Sequence, residues 1–198
     1  MLTTIKKNLS NLLFLAIGVF FLFSTDAKAY LQQGLMKVGF FQPKLAIQTV
    51  QNPTQDQAKE YLNFQIINTT GEVISLSDLK GKVVFLNFWA TWCPPCIAEM
   101  PSIQTLNDKF KADDEVVILT VEIEGKQDRV QQFLTRKNLN LPVYFPYTSI
   151  PSALFKGDLP TTIILDKEGN IAHTTIGLAD YSGKDIVNFL NEVKAIHP

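Results

Sequence analysis

Residues 83–101, VVFLNFWATWCPPCIAEMP, hold both cysteines of a 198-residue chain, with two prolines between them. The run 83–90 is apolar apart from Asn87, the pattern of a central strand covered on both faces. The spacing then changes. Ile97, Met100, Ile103, Leu106 and Phe110 recur every three or four residues, which predicts a helix over 94–111. Cys93 therefore falls where a buried strand hands over to a helix. The first amide groups of a helix have no intrahelical acceptor and carry the positive end of its dipole, so both favour a thiolate over a thiol. Cys93 is the candidate attacking sulfur. Cys96, one turn further in and better shielded, is the candidate resolving sulfur of a mixed disulfide. Pro94 and Pro95 suit the first helical positions, where an amide has no helical acceptor and proline's fixed φ is already helical.

The pattern continues on both sides. FQIINTTGEVISL, residues 64–76, is two short β-prone runs around Thr70-Gly71, a hairpin signal, and a capped turn follows it to Gly81. Residues 115–123, EVVILTVEI, predict a second buried strand, and 128–138 a second helix with Val130, Phe133 and Leu134 on one side. The segment with Pro142, Pro146 and Pro151 reads as a loop. TTIILD (161–166), the turn KEGN and IAHTTIG (171–177) predict an antiparallel hairpin, and an amphipathic helix closes the chain. This order predicts an α/β domain over 61–198, with a mixed central sheet, helices on both faces and an N-terminal β-hairpin extension.

The N-terminus has Lys6 and Lys7, an unbroken apolar run over 12–23, then Ala27-Lys28-Ala29, the small-x-small pattern of a signal-peptidase site. The expectation is a signal peptide over 1–29, cut after Ala29. An uncleaved anchor is the alternative, against which the shortness of the apolar core counts, since a spanning helix needs about 20 residues. Residues 30–60, rich in Gln and interrupted by Pro43 and Pro53, read as an extension or tether whose Phe40, Phe41 and Leu45 dock on the domain. The expected location is the periplasm or cell envelope. With 18 basic and 19 acidic side chains and a net charge of −1, nothing suggests an electrostatic footprint for nucleic acid.

Two plainer readings of the cysteine pair fit the sequence less well. A structural disulfide closing so short a loop stabilises little. A metal site needs further ligands, and the two histidines, His173 and His197, stand far along the chain without ligand spacing to the pair. Trp92, beside Cys93, is expected to cover the sulfurs and meet a partner, whereas Trp89 reads as core. Pro101 should kink the helix. Glu122 and Glu124 read mostly as solvated charges at the end of a strand.

On these residues, the stretch around W-C-P-P-C resembles the active-site segment of the thioredoxin superfamily, over about residue 64 to the last helix. Residues 76–101, LSDLKGKVVFLNFWATWCPPCIAEMP, are similar to the exported TlpA/ResA-like thiol-disulfide oxidoreductases. The resemblance implies that Pro160 takes a cis peptide bond beside the cysteines, with the backbone of Leu159 and Thr161 flanking the substrate chain. Trp92, Pro94 and Pro95 complete the expected substrate-binding set. Asn87 stands where thioredoxin has a buried aspartate. Glu99, on the same helical face as Cys96, matches a glutamate that this branch assigns to proton transfer; the alternative is a first-turn carboxylate favoured by the helix dipole. The implied activity is disulfide reduction in envelope proteins without a cofactor or metal. A membrane thiol electron donor resets the pair, and apocytochrome c is one typical client. Alternatives on the same fold are a disulfide-forming oxidant or isomerase. A thiol peroxidase would need Thr-x-x-Cys, and Thr91 is two residues from Cys93 rather than three. A metal-binding carrier is the non-enzyme alternative.

Overall fold

The computed structural model of the protein describes residues 11–12, 14–15, 17–20, 24–46 and 60–196. Lys6, Lys7, Pro53 and His197 lie outside them. A helix, α1 (Thr25–Lys37), spans the end of the expected signal peptide and the start of the expected tether, and is started by the Ser24 hydroxyl accepting from the Ala27 amide at 3.2 Å. Its side chains Ala29 and Met36 are buried against the domain, so the expected cleavage point lies inside a docked helix. Phe40 and Phe41 are exposed rather than docked, while Leu45 packs on the core. No helix among the described residues is long and apolar enough to cross a membrane.

The domain proper starts with β1 (Gln65–Asn68) and β2 (Val73–Ser75), paired antiparallel across the Thr70-Gly71 turn. A 3-10 turn follows, closed by a capping box in which Asp78 Oδ2 accepts from the Ser75 amide at 2.8 Å. Then come β3 (Val83–Trp89), α2 (Pro94–Phe110), β4 (Val116–Glu122) and α3 (Gln127–Lys137). The loop-like stretch after α3 contains a short strand, β5 (Val143–Pro146). β6 (Thr161–Leu165), β7 (Ile171–Ile176) and α4 (Lys184–Ile196) end the fold.

The seven strands lie in the order β2-β1-β5-β4-β3-β6-β7. β3, β4 and β5 are parallel neighbours, and the remaining pairings are antiparallel, so the sheet is mixed. Alternation along β3 sends Val83, Phe85 and Trp89 into one core and Val84, Leu86 and Phe88 into the other. Helices α1, α2, α3 and α4 all contribute to the first core. The second is covered by the short 3-10 turns at 61–63 and 76–79 and by Leu154 and Phe155, so helical cover on the two faces is unequal.

Pro101 sits inside α2 and has no amide to give the Ile97 carbonyl one turn back. Gln33 of α1 supplies the missing donor, its Nε2 lying 3.4 Å from that oxygen. Lys137 at the end of α3 fixes the other flank of α1, with Nζ 2.9 Å from Asp26 and 4.5 Å from the centre of the Tyr30 ring.

The β6–β7 turn is organised by Asp166, whose Oδ1 accepts from the amides of Glu168 (2.9 Å) and Asn170 (2.8 Å). Gly169 has φ +86°, a backbone conformation that requires glycine, and a Cβ there would also press on the end of the Leu62 side chain at 2.8 Å. Asp166→Ala is expected to cost about 1–2 kcal/mol through the lost charge-assisted bonds, read as a lower urea midpoint. An unchanged midpoint would remove the turn from the list of stabilising features.

Candidate active site

The end of β3 delivers Cys93 to the N-cap of α2, as the strand-to-helix reading expects, and Pro94 and Pro95 fill the first helical positions. The Cys96 amide donates to Cys93 Sγ at 3.3 Å, and the two cysteines are joined in a disulfide. A helix-start N–H is thus aimed at the sulfur proposed to attack. Both cysteines are almost wholly buried, Cys96 completely. Trp92 beside them is 53% exposed, whereas Trp89 is fully buried with its ring 5.3 Å from that of Phe133.

Pro160 opens β6 and follows Leu159 through a cis peptide bond. Thr161 pairs with Phe88, so Pro160 lies alongside the C-terminal end of the strand that carries the cysteine turn. The Pro160 carbonyl accepts from the Gly177 amide at 2.8 Å, and the Thr161 hydroxyl donates to the Asp158 carbonyl at 2.6 Å. Leu159 packs against the core that includes both cysteines.

Beneath α2, the apolar face of the sheet is broken by a polar row. Thr120, Asn87, Thr162 and Thr175 are register partners across β4, β3, β6 and β7. Asn87 spends both Nδ2 hydrogens, one on Glu99 Oε1 at 2.8 Å and one on Thr162 Oγ1 at 2.9 Å. The other Glu99 oxygen, Oε2, accepts from the Ala179 amide at 3.4 Å. Glu99 is completely buried and its partners are neutral, so burial pushes its carboxyl up to about 8, against the smaller downward pull of the Asn87 and Ala179 hydrogen bonds. This is not the behaviour of a solvated first-turn carboxylate.

Three parts of the site were not legible in the sequence. Tyr181, on the loop after β7, is buried beside Glu99, with its hydroxyl proton held more tightly by burial and by the nearby carboxyl. Ser102 links it to the helix, accepting from the Tyr181 amide at 3.1 Å and donating to the Glu99 carbonyl at 2.7 Å. Glu122, expected as a solvated charge, is fully buried. It is the register partner of Trp89, and its Oε2 accepts from the amides of Glu124 and Lys126, each at 3.2 Å. The loop into α3 folds back over this carboxyl, and burial raises its proton affinity. Only Ala179's small side chain and the polar interruptions at Asn87, Thr162 and Thr175 hinted at a buried polar site.

The AhpC/TSA family matches residues 55–174. The thiol-disulfide oxidoreductase ResA of Bacillus cereus is 37% identical over 140 residues, covering 70% of this chain and 76% of that protein. Among solved structures, a putative thiol:disulfide interchange protein DsbE from Chlorobium tepidum superposes with a TM-score of 0.57 at 26% identity, covering 66% of this chain and 92% of the other. StoA from Bacillus subtilis superposes with a TM-score of 0.52 at 28% identity, covering 64% and 94%. With a paired Cys-Pro-Pro-Cys at the start of a helix, a cis-proline beside it and a mixed sheet behind, the chain belongs to the AhpC/TSA family and is a thioredoxin-fold thiol-disulfide oxidoreductase.

Proposed function

We propose that the protein is exported and reduces disulfides in proteins of the cell envelope, apocytochrome c before haem attachment being the client class in view. The Cys93 thiolate attacks one sulfur of the partner's disulfide; the other partner sulfur leaves with the bonding electrons and takes up a proton. Cys96 then gives its proton to the Glu99 carboxylate and attacks Cys93 Sγ. The mixed disulfide breaks, and the second partner sulfur leaves and is protonated in turn. Two electrons have passed to the partner, and the pair is left as a disulfide. A membrane thiol donor returns two electrons, and Glu99 can hand its proton back to the departing Cys96. Pro94, Pro95, Trp92 and the backbone at Leu159, Pro160 and Thr161 form the surface that receives the partner chain. Export is supported by the apolar run at 12–23 between Lys7 and Ala27-Lys28-Ala29.

The observation that supports the reducing direction is the buried acid about one helical turn from Cys96. A cation near a cysteine stabilises the thiolate and makes its disulfide more oxidising; a carboxyl does not. Stabilisation of the Cys93 thiolate is then left to the helix start, where the Cys96 amide meets Sγ at 3.3 Å. Known thioredoxin-fold couples run from about −270 to about −120 mV. Equilibration of the Cys93/Cys96 couple in dithiothreitol buffers is expected to place it in the reducing half of that range. A value at the oxidising end overturns the assignment.

A further inference from the structure

Each oxygen of the Glu99 carboxyl is tied, through a short series of contacts, to residues 41–46, which precede the segment that matches the family. On one side, the Phe41 carbonyl accepts from the Asp180 amide at 3.0 Å, and the neighbouring Ala179 amide donates to Glu99 Oε2. On the other, the Ala46 carbonyl meets His173 Nδ1 at 3.0 Å, and His173 Nε2 meets the Thr175 hydroxyl at 3.0 Å. A carbonyl can only accept, so Nδ1 donates to Ala46, and the Thr175 hydroxyl, which can donate or accept, pairs with Nε2. Thr175 pairs across the strands with Thr162, which shares Asn87 Nδ2 with Glu99 Oε1. Between the two attachments Leu45 packs on the core, and upstream the Gln33–Ile97 bond and the Asp26–Lys137 pair hold α1 against α2 and α3.

We propose that residues 41–46 are a positioning strap for Glu99: by pinning Asp180 and His173 they fix the two donors that hold its carboxyl and keep water away from it. The inference rests on the reading of Glu99 as the proton-transfer group. The titratable groups facing Glu99 are few. Cys96 is on its own helix and has no proton in the disulfide, and Tyr181 comes from the loop after β7. Asp180 is one residue earlier on that loop, and His173 is on β7. β3 and β6 present only neutral Asn87 and Thr162. Release of the strap therefore changes hydration and donor geometry at Glu99 without removing a charge beside it.

The test uses the full oxidised chain and the infrared carbonyl band of the buried acid, assigned by its loss in Glu99→Gln. In the parent protein the band should titrate near the value of about 8 set by burial. Leu45→Asn loosens the strap without adding a charge. His173→Phe removes the donor to Ala46 while keeping an aromatic ring against Phe189, whose centre lies 5.5 Å away. Both admit water to the acid, and because burial outweighs the opposing pull of its two donors, both are expected to move the titration down by about one pH unit or more, about a tenfold rise in the ratio of ionised to neutral acid. His173→Asn, which retains a donor, should titrate close to the parent; Leu45→Ala serves if the asparagine variant does not fold. The proposal is overturned if hydrogen exchange at the Asp180 amide speeds up, showing that the strap has let go, while the Glu99 band titrates as before. An unchanged rate–pH profile in Glu99→Gln would instead reject the proton-transfer role, and the infrared titration, made without turnover, would still judge the strap.

Discussion

With Cys93 replaced by serine, reduction of insulin disulfides should fall to the uncatalysed rate, a loss of about a thousandfold or more, because the hydroxyl left at the N-cap does not ionise near neutrality and cannot open a disulfide. Cys96→Ser should behave differently. Its Cys93 still attacks, but nothing one turn away displaces the partner, so a one-to-one covalent adduct accumulates and is visible by mass under non-reducing conditions. The pair of variants tests the order of events as well as the identity of the site. An adduct trapped on Cys96 in the Cys93→Ser protein, with none on Cys93 in the other, would reverse the two roles. The geometry favours the stated order: the helix-start amide of Cys96 points at Cys93 Sγ, and Cys96 itself has no exposed surface.

Glu99→Gln carries the second large effect. In the folded, oxidised protein this carboxyl takes up its proton at about 8 rather than at the ordinary 4.5. Between those limits the native state binds more protons than the unfolded chain, so the contribution of Glu99 to stability is full below the lower limit. It is lost as pH rises through the upper one. The whole swing is on the order of a few kcal/mol for a completely buried group. Glutamine keeps an acceptor for Asn87 at the Oε1 position and does not ionise. The variant should therefore show a shallower fall of the urea midpoint between pH 5 and 9 than the parent, with raised Glu122 still contributing, and should be the more stable of the two at pH 9. In turnover the sign is opposite: only the ionised Glu99 can take the proton of Cys96, so resolution of the mixed disulfide should quicken as pH rises toward 8 in the parent and lose that dependence in the variant. Identical profiles for stability and rate would leave the buried acid without either role.

The strand and helix that present the cysteines could be read from residues 83–110 because both give unambiguous periods: a strand buried on both faces is continuously apolar, and α2 repeats its apolar side chains every three or four positions. β5 could not, since Val143–Pro146 is only four residues long and proline-flanked, and it becomes a strand by pairing with β1 and β4. α1 was hidden for a different reason. Its sequence, TDAKAYLQQGLMK, is small and polar, and its placement depends on the orphan carbonyl created by Pro101 in another helix. The cysteines, the cis-proline and the helical face of Glu99 follow from spacing and resemblance. The burial of Glu99 and Glu122 does not, because it is set by loops that arrive from far along the chain: residues 179–181 over one, and 124–126 over the other.

The two sulfurs sit within a single turn of a helix that is gripped beyond them on opposite flanks, by Gln33 at Ile97 and by the Tyr181 amide at Ser102. Opening or closing their bond asks for a small local adjustment rather than a swing of the backbone. A partner can therefore recognise the oxidation state through what changes on the spot: two added ionisable sulfurs, the cover offered by Trp92, and the charge on the buried acid. Affinity for disulfide-containing partners should accordingly be adjustable by single substitutions around that turn, with the rest of the molecule serving as an unmoving mount.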